Sequence, residues 1–180
     1  MKRQATAALV AAGAALAISA AAATPAAAAT SGSETLSGTI VTSGVSGTRM
    51  VISSVLVAKG VFNGVGRIVE LPSLPGDPPG SSRDDLVFPE GTLHLLGTGG
   101  GQITSFSLNP DNCRFRLTVE GAASGITGGT GQFAAATGDF PIGTATVEGL
   151  GARDPDGSCS MTLPALHEVD RLASSGTLSF

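Results

Sequence analysis

The feature that most constrains the fold is a segment in which apolar and polar residues alternate with a period of two. Every second residue from Cys113 to Val119 (CRFRLTV) is apolar, and the residues between them are charged or polar. This period is typical of a β-strand that turns one face towards a core. The chain has no long apolar stripe with the helical period of 3.6 residues, and we therefore predict an all-β fold.

Several more short strands are predicted in the rest of the chain. Glycine is abundant, with 26 of 180 residues, and glycine-rich turns separate the apolar stretches. Asn63-Gly64 is a dipeptide that favours a hairpin turn. The pattern predicts a sandwich or a barrel, with one short helix over 165–171 after Pro164. The further strands are expected at 34–43, 48–59, 66–71, 86–98, 103–108, 140–148 and 174–180.

The N-terminus has the composition of a secretory signal peptide. Lys2 and Arg3 precede an alanine-rich apolar run over 7–23, and small residues then offer a cleavage site before Thr30. The alternative is a membrane anchor, which the short and weakly hydrophobic run disfavours. We therefore predict a cleaved leader at 1–29 and a single secreted domain at 30–180 that has no membrane contact after cleavage.

The charge of the predicted mature chain argues against two kinds of partner. Loss of the leader removes two basic residues and no acidic one, which changes the net charge from −4 to −6. Nucleic acids and anionic membrane surfaces select clustered lysine and arginine. We expect neither as a partner, and the sequence leaves the oligomeric state open.

Both cysteines, Cys113 and Cys159, lie in the predicted mature domain. In an oxidising compartment two cysteines most simply form one disulfide, and each is expected at a core-facing position where a strand starts. Their spacing fits neither a metal knuckle nor a CxxC redox pair. The alternative is a pair of free thiols.

A proline-rich segment, 72–85 (PSLPGDPPGSSRDD), is predicted to be a loop. It contains four prolines and almost no apolar side chain. Such a segment is typical of a functional loop or of a tolerated insertion, and we favour the insertion. Asp84 and Asp85 at its end are expected to be solvated.

The stretch GGTGQFAAATG, residues 128–138, is where a phosphate site would have to be considered. It lacks both the GxxxxGK[ST] and the GxGxxG pattern, and no amphipathic helix follows it. We therefore predict that Gly128 and Gly129 turn the chain at the end of a strand. Phe133 is expected to plug one end of the barrel, and the three alanines that follow it are expected to pack closely.

No pattern indicates a metal site, a cofactor or covalent catalysis. His167-Glu168 begins like HExxH, but Arg171 stands at the second histidine position. Asp154 and Asp156 begin like a calcium loop that lacks its final acid. A GxSxG motif is also missing. We therefore expect no catalytic residue, no cofactor and no metal ligand.

The remaining polar residues on predicted strands are interpreted as surface groups. His94 alternates with leucines and is expected to face outward or to be hydrogen-bonded. Arg114, Arg116 and Glu120 share one face of a strand and would be ordinary surface charges if that face is outside.

The segment from Cys113 to Phe140 resembles the dirigent and allene oxide cyclase-like barrels, and it is most similar to their exported actinobacterial relatives of unknown role. The shared GGTGxFxxAxG turn comprises Gly128, Gly129, Thr130, Gly131, Phe133, Ala136 and Gly138. The resemblance implies a single antiparallel eight-stranded barrel of the calycin or dirigent type with an apolar interior. Plant members guide radical coupling or cyclise a lipid epoxide. Plant dirigents tend to have arginine where this chain has Thr137, and this chain has no tyrosine.

Three functions follow as hypotheses. The first is a secreted, non-catalytic barrel that binds a small apolar ligand inside. The second is a cyclase or isomerase that acts by confinement, assisted by an isolated acid such as Glu120. The third is a structural or interaction protein of the cell surface, which the acidic charge and the proline-rich loop support.

Overall fold

The computed structural model describes residues 29–45, 47–99 and 101–180, so that residues 1–28 of the predicted leader lie outside the described residues. No helix in these ranges is both long enough and apolar enough to cross a membrane. A 3₁₀ turn at Gly131–Phe133 is followed by the eighth of nine strands. The strands are β1 (Ser31–Ser43), β2 (Met50–Gly60), β3 (Gly64–Leu71), β4 (Ser82–Phe88), β5 (Gly91–Gly99), β6 (Gln102–Asn109), β7 (Arg114–Gly129), β8 (Thr137–Leu150) and β9 (His167–Ser179).

Eight of these strands close into an antiparallel barrel. The sheet order is β5-β4-β3-β2-β1-β9-β8-β7-β6, and an additional pairing of β5 with β7 joins the two ends of the ring. The ninth strand, β6, pairs with β7 outside the ring. The prediction of an all-β, single eight-stranded antiparallel barrel is confirmed, with one extra strand.

The long strand β7 pairs with two different strands, β6 and β5, along one edge and with β8 along the other. Its first half pairs with β6 and its second half, from Ala123, pairs with β5. The register against β8 shifts around Gly121, whose φ of 79° is favoured by glycine. The predicted alternation is confirmed in the first half, where Arg114 and Arg116 are exposed and Phe115 is half-buried.

Two neighbouring predictions in the middle of the chain are wrong. The expected strand over 86–98 is a hairpin, in which β4 and β5 pair from Phe88 and Gly91 onward around Pro89-Glu90. Proline has a fixed φ and no N–H, and therefore suits a turn between strands. The predicted loop 72–85 ends at residue 81, because Ser82 and the residues after it pair with β5 as part of β4.

Two predictions near the C-terminus are also wrong. The expected helix over 165–171 is absent, since His167–Arg171 belong to β9, which pairs with both β1 and β8. Cys159 does not start a strand and forms only an isolated bridge with Arg153. Met161 and Leu163, two and four residues after Cys159, are exposed.

An aromatic cluster closes one end of the barrel. The ring of Phe133 is fully buried and contacts the rings of Phe62, Phe88 and Phe180 at centroid distances of 5.1, 5.8 and 5.2 Å. Phe62 and Phe88 also contact each other edge to face at 5.0 Å. Such aromatic pairs stabilise a core beyond their buried area. We call these four rings the phenylalanine plug.

The disulfide between Cys113 and Cys159 is confirmed. It joins the residue before β7 to the long connection between β8 and β9, across a sequence separation of 46. The Cα atoms are 5.4 Å apart, and Cys113 is buried. The bond therefore fixes a connection that has little regular structure of its own.

Candidate ligand-binding cavity

The barrel encloses a cavity of about 500 Å³ above the phenylalanine plug. Its walls come from the inward-facing positions of every strand of the ring, because alternate side chains of a strand point to the same face. Small residues such as Ser124, Ala145 and Ser174 line the side formed by β7, β8 and β9 and leave the space open. The larger apolar lining residues are Leu36, Ile40, Leu56, Ile68, Leu86, Leu95, Phe140 and Leu172.

Three carboxylates line the same cavity at the end away from the phenylalanine plug. They are Glu70 on β3, Asp84 on β4 and Asp170 on β9, and Glu70 and Asp84 are direct cross-strand neighbours. Asp170 lies eight residues before Leu178, which belongs to the core at the closed end. The cavity is therefore apolar in its depth and acidic at its mouth.

Arg49 holds part of this acidic group in place from the connection between β1 and β2. Its guanidinium donates to Glu70, to Glu168 Oε1 at 3.3 Å and to Asp170 Oδ2 at 3.0 Å. Burial by itself would lower the pKa of Arg49, but the hydrogen bonds that Arg49 donates to Glu70 and Glu168 raise it. The arginine therefore stays charged and orients carboxylates from two strands.

Burial has a clear effect on two of the lining carboxylates. Desolvation and, after it, the neighbouring charge of Glu70 raise the pKa of Asp84 to about 6, against a hydrogen bond from Ser82. Desolvation and the charge of Glu168 also raise the pKa of Asp170, despite its bond to Arg49. Both shifts follow from placing acids beside other acids in a poorly hydrated space.

The mouth of the cavity carries polar atoms without partners. Asp170 is 7% exposed, and its Oδ1 has no hydrogen bond to any residue that the structure describes. The same holds within the described chain for Ser81 Oγ, which also belongs to the lining. A buried polar atom without a hydrogen-bond partner lowers the stability of the folded protein. Such an atom in a cavity wall is explained if a bound ligand supplies the missing hydrogen bond.

The proline-rich loop closes over one side of the mouth. Arg83 bonds Asp77 in two places, Nε to Oδ2 at 2.7 Å and NH2 to Oδ1 at 2.5 Å. This hydrogen bonding lowers the pKa of Asp77 to about 2. Ser73, Ser81 and Arg83 all line the cavity, so the loop forms part of the entrance.

The glycine-rich turn lies at the closed end and not at the cavity. Gly128, Gly131 and Gly138 have positive φ values of 138°, 59° and 141°, and Gly129 approaches the backbone of Phe133 and Thr92. Of the three alanines after Phe133, only Ala136 is buried. The turn places the ring of Phe133 in the plug.

The other charged residues considered from the sequence lie outside the cavity. His94 Nδ1 bonds Asp85 Oδ1 at 2.6 Å on the outer face of the β4–β5 hairpin. Glu148 bonds Arg116 and Arg171 on the outer face of β7, β8 and β9. Glu120 is exposed and does not line the cavity, so it is not the isolated acid that the second hypothesis requires.

The sequence interpretation missed the acids that do line the cavity. Asp84 was expected to be solvated, yet it stands in a strand two residues before the buried Leu86. Glu70 has the same parity as the buried Ile68, and Asp170 the same parity as Leu172. A carboxylate on the apolar parity of a strand was the signal that could have found them.

A further acid, Glu34, is buried at the closed end. Glu34 is 1% exposed, and its Oε2 accepts a hydrogen bond from the backbone N–H of Phe62 at 2.9 Å. Burial raises the pKa of Glu34. It lies beside the plug and is not part of the cavity lining.

Comparisons with protein-family models, curated proteins and solved structures found no match for this chain. What the fold and the cavity define is therefore a class: an antiparallel eight-stranded barrel, closed at one end and acidic at the mouth of an interior space.

Proposed function

We propose that this protein binds one small apolar molecule inside the barrel. The observation that carries the proposal is the cavity of about 500 Å³ with leucine and isoleucine walls. Ligand sites in proteins have volumes of roughly 300–1,000 Å³ and are lined mainly by apolar side chains with a few polar groups. Eight-stranded barrels are wide enough to hold one such molecule.

The rest of the chain supports a binding role in a secreted protein. The N-terminal composition is that of a signal peptide, and the disulfide suits an oxidising compartment. The phenylalanine plug gives the cavity a firm floor, so a ligand would enter and leave at the acidic mouth. The resemblance of the glycine-rich turn to the dirigent and allene oxide cyclase-like barrels supports the same use of an interior cavity.

A fluorescence titration with the neutral probe N-phenyl-1-naphthylamine tests the proposal. The wild-type protein should enhance the fluorescence of the probe in a saturable way. Ala145→Phe, which fills the cavity wall, should weaken binding at least about tenfold, since a ring would occupy the ligand's space. Ala135→Phe adds the same ring at an exposed position and serves as the matched control.

Two results would overturn this function. One is a wild-type protein that does not bind the probe. The other is equal binding by wild type and by Ala145→Phe, provided that both unfold cooperatively in a thermal melt.

Acid catalysis by confinement is the second candidate, favoured by Asp84. With a pKa of about 6 at the mouth of the cavity, its carboxyl can give a proton to an epoxide oxygen while water attacks the carbon and returns a proton to Asp84. Hydrolysis of styrene oxide should then be faster with wild type than with Asp84→Asn. Equal rates for the two proteins would remove this candidate.

A further inference from the structure

We propose that the cavity selects an amphiphile whose head is a protonated amine, with the apolar body inside the barrel and the ammonium group among Glu70, Asp84 and Asp170. This inference rests on the proposed binding function and names the chemical class of the ligand. It follows from the charge balance of the mouth, from the unpartnered acceptor Asp170 Oδ1 and from the apolar depth of the cavity.

The charge balance at the mouth is negative. Arg49 is the one cation hydrogen-bonded to the lining acids in the described chain, and it is shared by Glu70, Glu168 and Asp170. Arg83 also lines the mouth, but Asp77 neutralises it through two bonds. Asp84 has no arginine or lysine bonded to it in the part of the chain that the structure describes. One further positive charge would therefore be stabilised here.

The polar atoms without partners are suited to a donor ligand. Asp170 Oδ1 can only accept a hydrogen bond while the group is ionised, and its second oxygen already accepts from Arg49. An ammonium group brings three N–H donors on one centre, which matches a ring of acceptors better than a hydroxyl does. A carboxylate head would add like charge to the mouth and would be disfavoured.

The apolar depth of the cavity fixes the other end of the ligand. The barrel floor beyond the lining leucines is the phenylalanine plug, and no charged side chain that the structure describes lines the cavity near it. A molecule that is charged throughout, such as a polyamine, would lose hydration in this part of the cavity without gaining partners. The two halves of the site together favour a cationic head on an apolar body.

Isothermal titration calorimetry with three compounds of one shape tests the inference at near-neutral pH. 4-Phenylbutylamine, 4-phenylbutan-1-ol and 4-phenylbutyrate share the same apolar body and differ in the charge of the head. We expect the amine to bind at least about tenfold more tightly than the alcohol, and the carboxylate to bind most weakly. A primary amine should also bind more tightly than its N,N,N-trimethyl derivative, which keeps the charge but has no N–H donor.

Two variants of adjacent residues make the test specific. Asp84→Asn keeps the shape of the side chain and should reduce the preference for the amine over the alcohol about fivefold or more. Asp85→Asn removes a neighbouring carboxylate on the outer face of the same strand and should leave the preference unchanged. Asp85→Asn should also bind the alcohol as wild type does.

The outcomes separate the inference from the function on which it rests. If the alcohol binds inside the barrel and the amine binds no more tightly, the inference is wrong and the binding function stands. If none of the three compounds binds, both are wrong. Equal loss of amine preference in Asp84→Asn and Asp85→Asn would also overturn the inference, because the effect would then be one of surface charge.

Discussion

The two ends of this barrel use the same strands for opposite purposes. At the closed end, four phenylalanine rings meet and Phe133 is fully buried. At the open end, three carboxylates line an interior space, and two of them, Glu70 and Asp170, bond Arg49. The difference indicates that the stability gained from close packing at one end can offset the free energy lost at the other. A binding site requires that loss, because it needs empty space and partly desolvated polar groups.

The largest expected effect is at the closed end. Phe133→Ala should destabilise the protein by about 3–5 kcal/mol, because it removes a fully buried ring that contacts three others. Phe106→Ala deletes the same side chain at a site that is 50% exposed and should cost less than about 1 kcal/mol. Chemical denaturation measures both. Equal losses would contradict the assignment of the plug as the stable end.

The disulfide should have the next largest effect. Replacement of both Cys113 and Cys159 by serine should lower the free energy of unfolding by up to about 4 kcal/mol, as expected for a closed loop of this length. The same loss should appear when the wild-type protein is reduced. A melting temperature that reduction leaves unchanged would show that the bond adds nothing to stability.

The smallest effect concerns the mouth and depends on pH. Because the pKa of Asp84 is about 6 in the folded protein, above its ordinary value of 3.8, the folded state holds this proton more tightly than the unfolded state. The protonated carboxyl of Asp84 therefore adds at most roughly 3 kcal/mol to the free energy of unfolding. This contribution is fully present below about pH 4 and is lost as the pH rises through about 6.

Asp84→Asn removes the titrating carboxyl, and it therefore tests whether this pH dependence of stability arises at the mouth of the cavity. Relative to wild type, the variant should gain stability as the pH is raised from about 4 to about 7. Asp85→Asn keeps Asp84 and should follow the wild-type pH profile of that range more closely. Urea denaturation at several pH values measures the difference, and a constant gap between Asp84→Asn and wild type would contradict the buried position of Asp84.

Several features were predictable from the sequence, since their signals are local. The alternation from Cys113 to Val119 predicted a strand, and the glycines around Phe133 predicted a turn that brings a ring to the barrel. The disulfide followed from the number of cysteines and the predicted export. Each of these inferences uses residues that are close in sequence or few in number.

The mouth was not predictable in the same way, because it is built from distant segments. Glu70, Asp84 and Asp170 meet only when the ring closes. Because prolines precede Asp84, the first residues of β4 were predicted to belong to a loop. Pro89 was not recognised as the turn that divides the predicted strand over 86–98 into two. His167–Arg171 has a polar composition that a short helix would also tolerate, and only pairing with β1 and β8 makes it a strand.

The central claim is that a small molecule enters the open half of the barrel and leaves the closed half untouched. Methyl-resolved NMR of the full folded domain, titrated with 4-phenylbutan-1-ol, tests it directly. The account predicts saturable shifts at Leu56, Ile68 and Leu95, which line the cavity, and none at Leu93 or Leu178 beside the plug. Shifts confined to exposed methyl groups such as Ile103, or no saturable shift at all, would contradict it.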